Sequence, residues 1–169
     1  LVRSRGLGDV YKRQVHDFIN PSRVQLCPTD KFISFVTRVL TTTQVSDSVI
    51  KLCLYYIYRL KVRHNGLQGK TGSEYRLFLT SLIMANKFLD DYTFTNKTWA
   101  EISNISLHEI TKMEAQLFLG IDNNASVSLA TYNWWCCTLD MLKQKRDIDA
   151  QWLKWQECAP SAYPSSPIS

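Results

Sequence analysis

Two charged residues stand where the apolar pattern leaves no room for charge. Glu114 is in register with Ile110, Met113, Leu117 and Phe118, the inner stripe of a helix predicted over Ser106–Gly120. Lys87 follows Ile83 and Met84 by one turn in the most apolar stretch of the chain. An isolated charge taken out of water is costly, so each must be paired or hydrogen-bonded. Two arrangements satisfy that demand. The residues form a salt bridge within the domain and do nothing more, or they sit at a surface groove and grip the backbone of another protein. An ammonium donates hydrogen bonds and a carboxylate accepts them, so the pair can hold an acceptor and a donor together.

Other reactive side chains do not converge. Asp90 and Asp91 are adjacent carboxylates at a predicted helix end and read as solvated caps rather than a catalytic pair. His16, His64 and His108 are far apart and have no ligand spacing with any cysteine, so no metal site is predicted. Gly66, Gly69 and Gly72 do not match a phosphate-binding loop, and no cofactor is expected. Tyr132, Trp134 and Trp135 would suit base stacking, but at helical spacing they read as core or interface. Cys136-Cys137 reads as packing, and Ser166-Pro167 has the form of a proline-directed phosphorylation site. The Asn-x-Ser/Thr patterns at Asn96, Asn104 and Asn124 are taken as chance matches.

The elements that carry these residues are helical. Phe32, Phe35, Val36, Val39 and Leu40 share one helix face behind the start signal Pro28-Thr29-Asp30. A second helix is predicted from about Ser46 to Val62, with Val45, Val49, Leu52, Cys53, Tyr56 and Leu60 inward. His64-Asn65-Gly66, Gly69 and Gly72 mark a loop. Thr71 and Glu74 form a capping box opening Tyr75 to Leu89, which is apolar nearly all round and so belongs at the centre. Thr98 with Glu101, and Ser106 with Glu109, give two further boxes. Asp122-Asn123-Asn124 ends the Ser106 helix. A later helix is predicted over Ser126 to about Lys145, with Leu129, Tyr132, Trp135 and Leu139 on one side. The segment around Trp152 and Trp155 is a last short helix or a packing strand. The fold class is all-α: five helices around a buried third one, with one or two C-terminal additions.

Bulk properties agree with one compact domain. The 169 residues are 45% apolar, and no run is long enough to predict a membrane-spanning helix. Five cysteines, an odd number without Cys-x-x-Cys, suit a reducing compartment. The net charge of +5 hints at nucleic acid, yet residues 1–14 hold +3 of it. The near-neutral remainder shows no basic stripe, so no nucleic-acid partner is expected. Residues 1–14 resemble translated adaptor sequence and are read as a non-native or disordered leader on a fragment without Met. Residues 15–27 are read as an N-terminal extension, 28–146 as the single domain with its following helix, and 147–169 as a C-terminal extension with a disordered Pro/Ser-rich tail.

Three segments carry a family likeness. They are Leu82-Ile-Met-Ala-Asn-Lys-Phe-Leu-Asp-Asp91, Thr95-Asn-Lys-Thr-Trp-Ala-Glu101, and Leu107 to Leu119. Together they resemble a cyclin box, and are most similar to the fungal PCL-type cyclins that partner the phosphate-pathway class of cyclin-dependent kinase. The likeness covers roughly Pro28 to Asp140. It implies a regulatory subunit without catalytic activity, acting in nucleus and cytoplasm. Its partner would be a cyclin-dependent protein kinase, with no nucleic acid, membrane or small-molecule substrate. The cyclin positions that contact the kinase match Lys87 and Glu114, with Met84, Phe88 and Phe118 as apolar neighbours and Asp90 and Asp91 beside the rim. By that likeness they hold the kinase's regulatory helix inward, keeping its Glu paired with the ATP-binding Lys. Val36-Thr-Arg-Val-Leu40 stands where cell-cycle cyclins carry Met-Arg-x-x-Leu, so the likeness does not extend to their substrate-docking groove.

Two rival classes remain at this level. A cyclin-fold transcription-factor or scaffold module without kinase binding would need basic patches to hold DNA, and a gel shift at physiological salt separates it. A helical enzyme would need a convergent acid, base or metal cluster.

Overall fold

The computed structural model describes residues 28–64, 69–70 and 72–158, with side chains placed as far as 151. The leader, the N-terminal extension, Thr71, the Pro/Ser tail and Ser166-Pro167 lie outside the described residues. Among those described there are helices and no strands. The helices are α1 (Asp30–Thr43), α2 (Asp47–Arg63), α3 (Ser73–Leu89), α4 (Asn96–Ser103), α5 (Leu107–Gly120) and α6 (Leu129–Cys158).

Side-chain caps set most of the starts. Thr29, Ser46, Thr95 and Ser106 each accept a hydrogen bond from the N–H three residues on, at 3.2–3.3 Å. Ser106 therefore caps its helix as the pattern predicts, while Glu109, the other half of the box, pairs with Arg76 at 2.7 Å instead. The Thr98 box does not form: Thr95 takes the cap and α4 begins three residues earlier. For α3 the cap is Gly72, at φ +89°, where a residue with a Cβ would be strained. Glu74 still reaches back, accepting the Gly72 N–H at 2.8 Å.

α3 is the axis of the domain. Phe78 to Asn86 are buried without interruption, and α1, α2 and α5 all pack against this helix. This confirms the predicted central helix and the all-α fold. On α1, Phe35 and Val39 are buried with Phe32, Val36 and Leu40 beside them. Phe32 meets Tyr75 and Phe78 edge-on, at 5.3 and 6.2 Å between ring centroids. From α4, Trp99 is fully buried and Phe94 meets it edge-on at 5.6 Å.

α6 differs from its sequence reading. It starts after Ser128, whose hydroxyl accepts the Thr131 N–H at 3.2 Å, and runs unbroken to Cys158. The segment around Trp152 and Trp155 is thus the end of this helix, neither a separate element nor a strand, and the boundary set at 146 falls inside it. Leu129, placed on the inner face, is 74% exposed because it lies at the first turn, before α6 reaches the core. Trp135 is the anchor: it is buried against Tyr55 and Tyr58 and donates its ring N–H to the Lys51 carbonyl at 2.8 Å. Within the aromatic run Trp135 is therefore core and Trp134 packs partly buried against it, as the helical spacing suggested. Cys137 is exposed, so the packing role assigned to Cys136-Cys137 fails for that residue.

Cys53 is fully buried with its sulfur 3.7 Å from the Phe78 carbonyl, and burial pushes its thiol well above the ordinary range. The thiolate is the nucleophile, so Cys53 stays inert while the native fold holds. Iodoacetamide at about pH 8 should alkylate Cys137 and leave Cys53 untouched, as read by peptide mass spectrometry. Equal labelling of the two would contradict this packing.

Candidate functional site

The C-terminal turn of α3 and the second half of α5 lie side by side at the rim of the domain. Met84, Lys87 and Phe88 project from one, and Glu114, Ala115 and Phe118 from the other. With Ala125 from the following loop they line an open cleft of about 360 Å³. Met84 is nearly buried in its floor, while Phe88 and Phe118 are 46% and 40% exposed. The last turn of a buried helix leaves the core here, and so α3 can present apolar rings to solvent.

The two anomalous charges meet across this cleft. The Lys87 ammonium donates to Glu114 Oε1 at 2.8 Å. It also donates to Asn96 Oδ1 at 2.7 Å, and the Asn96 amide donates to the other Glu114 oxygen. The lysine side chain is 38% exposed and the carboxylate 19%. The two residues therefore form an ion pair within the domain, and that pair lies at an open cleft. A part-exposed pair contributes only about 0–1 kcal/mol to stability.

The α5–α6 connection fixes the far wall. α5 ends in a turn in which Asp122 and Asn123 take φ of +64° and +54°, a region that Asp and Asn tolerate better than other non-glycine residues. The Asn123 N–H donates to the Phe118 carbonyl at 2.8 Å. α2 buttresses the turn from behind. Arg59 donates to the carbonyls of Asn124 and Ile121 at 2.7 and 3.1 Å, and Arg63 pairs with Asp122. Tyr56 donates its hydroxyl to the Ala125 carbonyl at 2.8 Å. Burial holds that phenol above its usual range, so it remains a neutral donor. Gly120 lets the helices approach: a Cβ there would come within 2.5 Å of Leu60.

Of the seven residues proposed from sequence, the structure brings five to the cleft: Met84, Lys87, Phe88, Glu114 and Phe118. Asp90 and Asp91 are not among its lining. Asp90 is the C-cap residue of α3 and accepts from the Asn86 amide at 2.6 Å, and Asp91 is exposed. Asn96 escaped the sequence reading as a site residue. It appeared there only within the Thr95–Glu101 segment of the family likeness and in an apparent glycosylation pattern, and its amide nitrogen donates to Glu114. Among the described residues no His, Cys, Asp or Glu group could hold a metal, and no helix is long and apolar enough to cross a membrane.

An all-helical box with an ionic, apolar-walled cleft between its third and fifth helices is the class that fold and site define. A family model described as Cyclin matches residues 22–125. The chain belongs to the cyclin family. It is 26% identical over 142 residues to Cyclin-U1-1 of Arabidopsis thaliana, spanning 84% of this chain and 68% of that protein. It is 29% identical over 106 residues to Cyclin-P3-1 of Oryza sativa subsp. japonica, spanning 63% of this chain and 44% of that one. It is 31% identical over 93 residues to the PHO85 cyclin CLG1 of Saccharomyces cerevisiae, spanning 52% of this chain and 21% of CLG1. The chain thus spans only part of the relatives it matches. Plant and yeast cyclins stand side by side among them, which corrects the fungal assignment drawn from the sequence.

The Tyr56 buttress is testable alone. Tyr56→Phe removes one hydrogen bond to a carbonyl in the cleft wall, a loss of about 0.5–1.5 kcal/mol. The melting temperature should fall by roughly 1–6 °C. An unchanged melt would show that the linker is held by other contacts.

Proposed function

We propose that this chain is the regulatory subunit of a cyclin-dependent protein kinase, which it binds through the α3–α5 cleft and activates. The observation that carries the reading is the accessible Lys87–Glu114 pair set between exposed apolar rings. Among the described residues Lys87 makes two hydrogen bonds through Nζ, and an ammonium can donate three. Each Glu114 oxygen accepts one and has capacity for another. The spare donor can meet a carbonyl at the end of a partner helix, and the carboxylate a nearby N–H. Phe88 and Phe118 supply the apolar contact that such a helix would bury.

A kinase's regulatory helix, held inward by this grip, keeps its own Glu paired with the ATP-binding Lys, which phosphoryl transfer requires. The cyclin thereby supplies position rather than chemistry, so the chain itself acts as no enzyme. We extend the proposal to a kinase of the PHO85 kind, on the likeness to the PHO85 cyclin CLG1. Action in nucleus and cytoplasm follows from the same reading.

The test is reconstitution with purified cyclin-dependent kinases, PHO85 included, using the kinase that the unaltered chain binds most tightly. Lys87→Glu and Glu114→Ala should each weaken binding by about thirtyfold or more, the usual cost of truncating one partner of an interfacial charge pair. Helical circular dichroism should stay unchanged, because the pair is part-exposed. Unaltered binding by both variants, or no binding of any kinase by the unaltered chain, rejects the proposal.

A further inference from the structure

We infer that Asn96 is a positioning residue, which holds Lys87 and Glu114 in the geometry the partner requires; this rests on the kinase-binding reading above. The three side chains form a closed ring in which each bonds both others. A carboxamide is suited to that place. Its oxygen accepts from the ammonium while its NH2 donates to the carboxylate, and it adds no charge of its own. Aspartate would lose the donor and repel Glu114. Serine would be too short to span both.

Asn96 can act as a fixed point because its backbone is fixed. It is the first residue of α4, directly after the Thr95 cap, whose hydroxyl accepts the Thr98 N–H at 3.3 Å. The Thr95 carbonyl accepts the Trp99 N–H at 3.0 Å, and the Trp99 side chain is wholly buried. The cap and the tryptophan thus pin the start of α4 to the core, and the amide extends that rigidity to the rim. Lys87 has the opposite character. It is a long, part-exposed side chain at the last turn of α3, with much rotamer freedom to lose when a partner orders it. Binding groups ordered in advance spare that loss at association. The ring also keeps the ammonium and carboxylate on one side of each other, leaving their outer faces for the partner.

The experiment is a double-mutant cycle in the full chain, with binding to the kinase chosen above as readout. Asn96→Ala should weaken binding roughly tenfold, the cost of leaving two side chains to be ordered by the partner. In the Lys87→Ala, Glu114→Ala background the same change should have no more than about a twofold effect, because Asn96 then has nothing to position. Thermal melts of all variants check that α4 remains folded. Wild-type affinity of Asn96→Ala, with Lys87→Glu still impaired, overturns the positioning role and leaves the kinase reading standing. An undiminished Asn96→Ala effect in the double-variant background overturns it too, showing direct contact or a general structural role. Unimpaired binding by Lys87→Glu and Glu114→Ala overturns the reading beneath.

Discussion

The proposed site turns on one ionic contact, between an ammonium at the end of α3 and a carboxylate halfway along α5. Fully buried, such a pair would be costly to desolvate and closed to any partner. Fully exposed, it would be screened and poorly oriented. Lys87 and Glu114 lie between these limits. The carboxylate is mostly shielded, the ammonium is reachable, and a neutral amide braces both. In the proposed role, polar groups held in that state are the directional anchors and the neighbouring rings supply the area.

Much of the remaining structure serves to keep those groups still. α3 is buried from Phe78 to Asn86, so its final turn leaves the core on a fixed course. α5 is tied at its end by a left-handed turn and by three side chains of α2. α4 is tied by Trp99. Thus three helices that bear the site are each fastened by contacts outside it, and the site's residues are free to be polar or exposed. α6 docks on α2 through Trp135 and stands away from the cleft lining.

The fold was readable from periodicity because every helix but the last buries a clear stripe. α3 was the plainest, since a helix with no polar face can only be central. The end helix was misread for a physical reason. Beyond Trp135 and Thr138 its residues are largely exposed up to 151, so no apolar period marks how far it continues. The start of α4 was misplaced because Thr95 and Thr98 are both acceptable caps, and the choice depends on the burial of Trp99, which local spacing does not record. At the site, charge on an apolar stripe disclosed Lys87 and Glu114 before any coordinates. Asn96 gave no such signal. A neutral polar residue at a helix start is ordinary, and its role depends on two residues that are distant in sequence. Asp90 and Asp91 stand as their place at a helix end suggested, one at the cap and one in solvent, beside the cleft rather than in its lining.

Membership of the cyclin family fixes the kind of protein, and the proposed grip of the cleft on a kinase would give that membership a physical mechanism. Hydrogen–deuterium exchange of the chain with and without its bound kinase tests the mechanism most directly. The account predicts slowed exchange in peptides covering residues 84–89 and 114–119, with α6 unchanged. Protection confined to α6 or to the α1 face, with no change at those two segments, would contradict it.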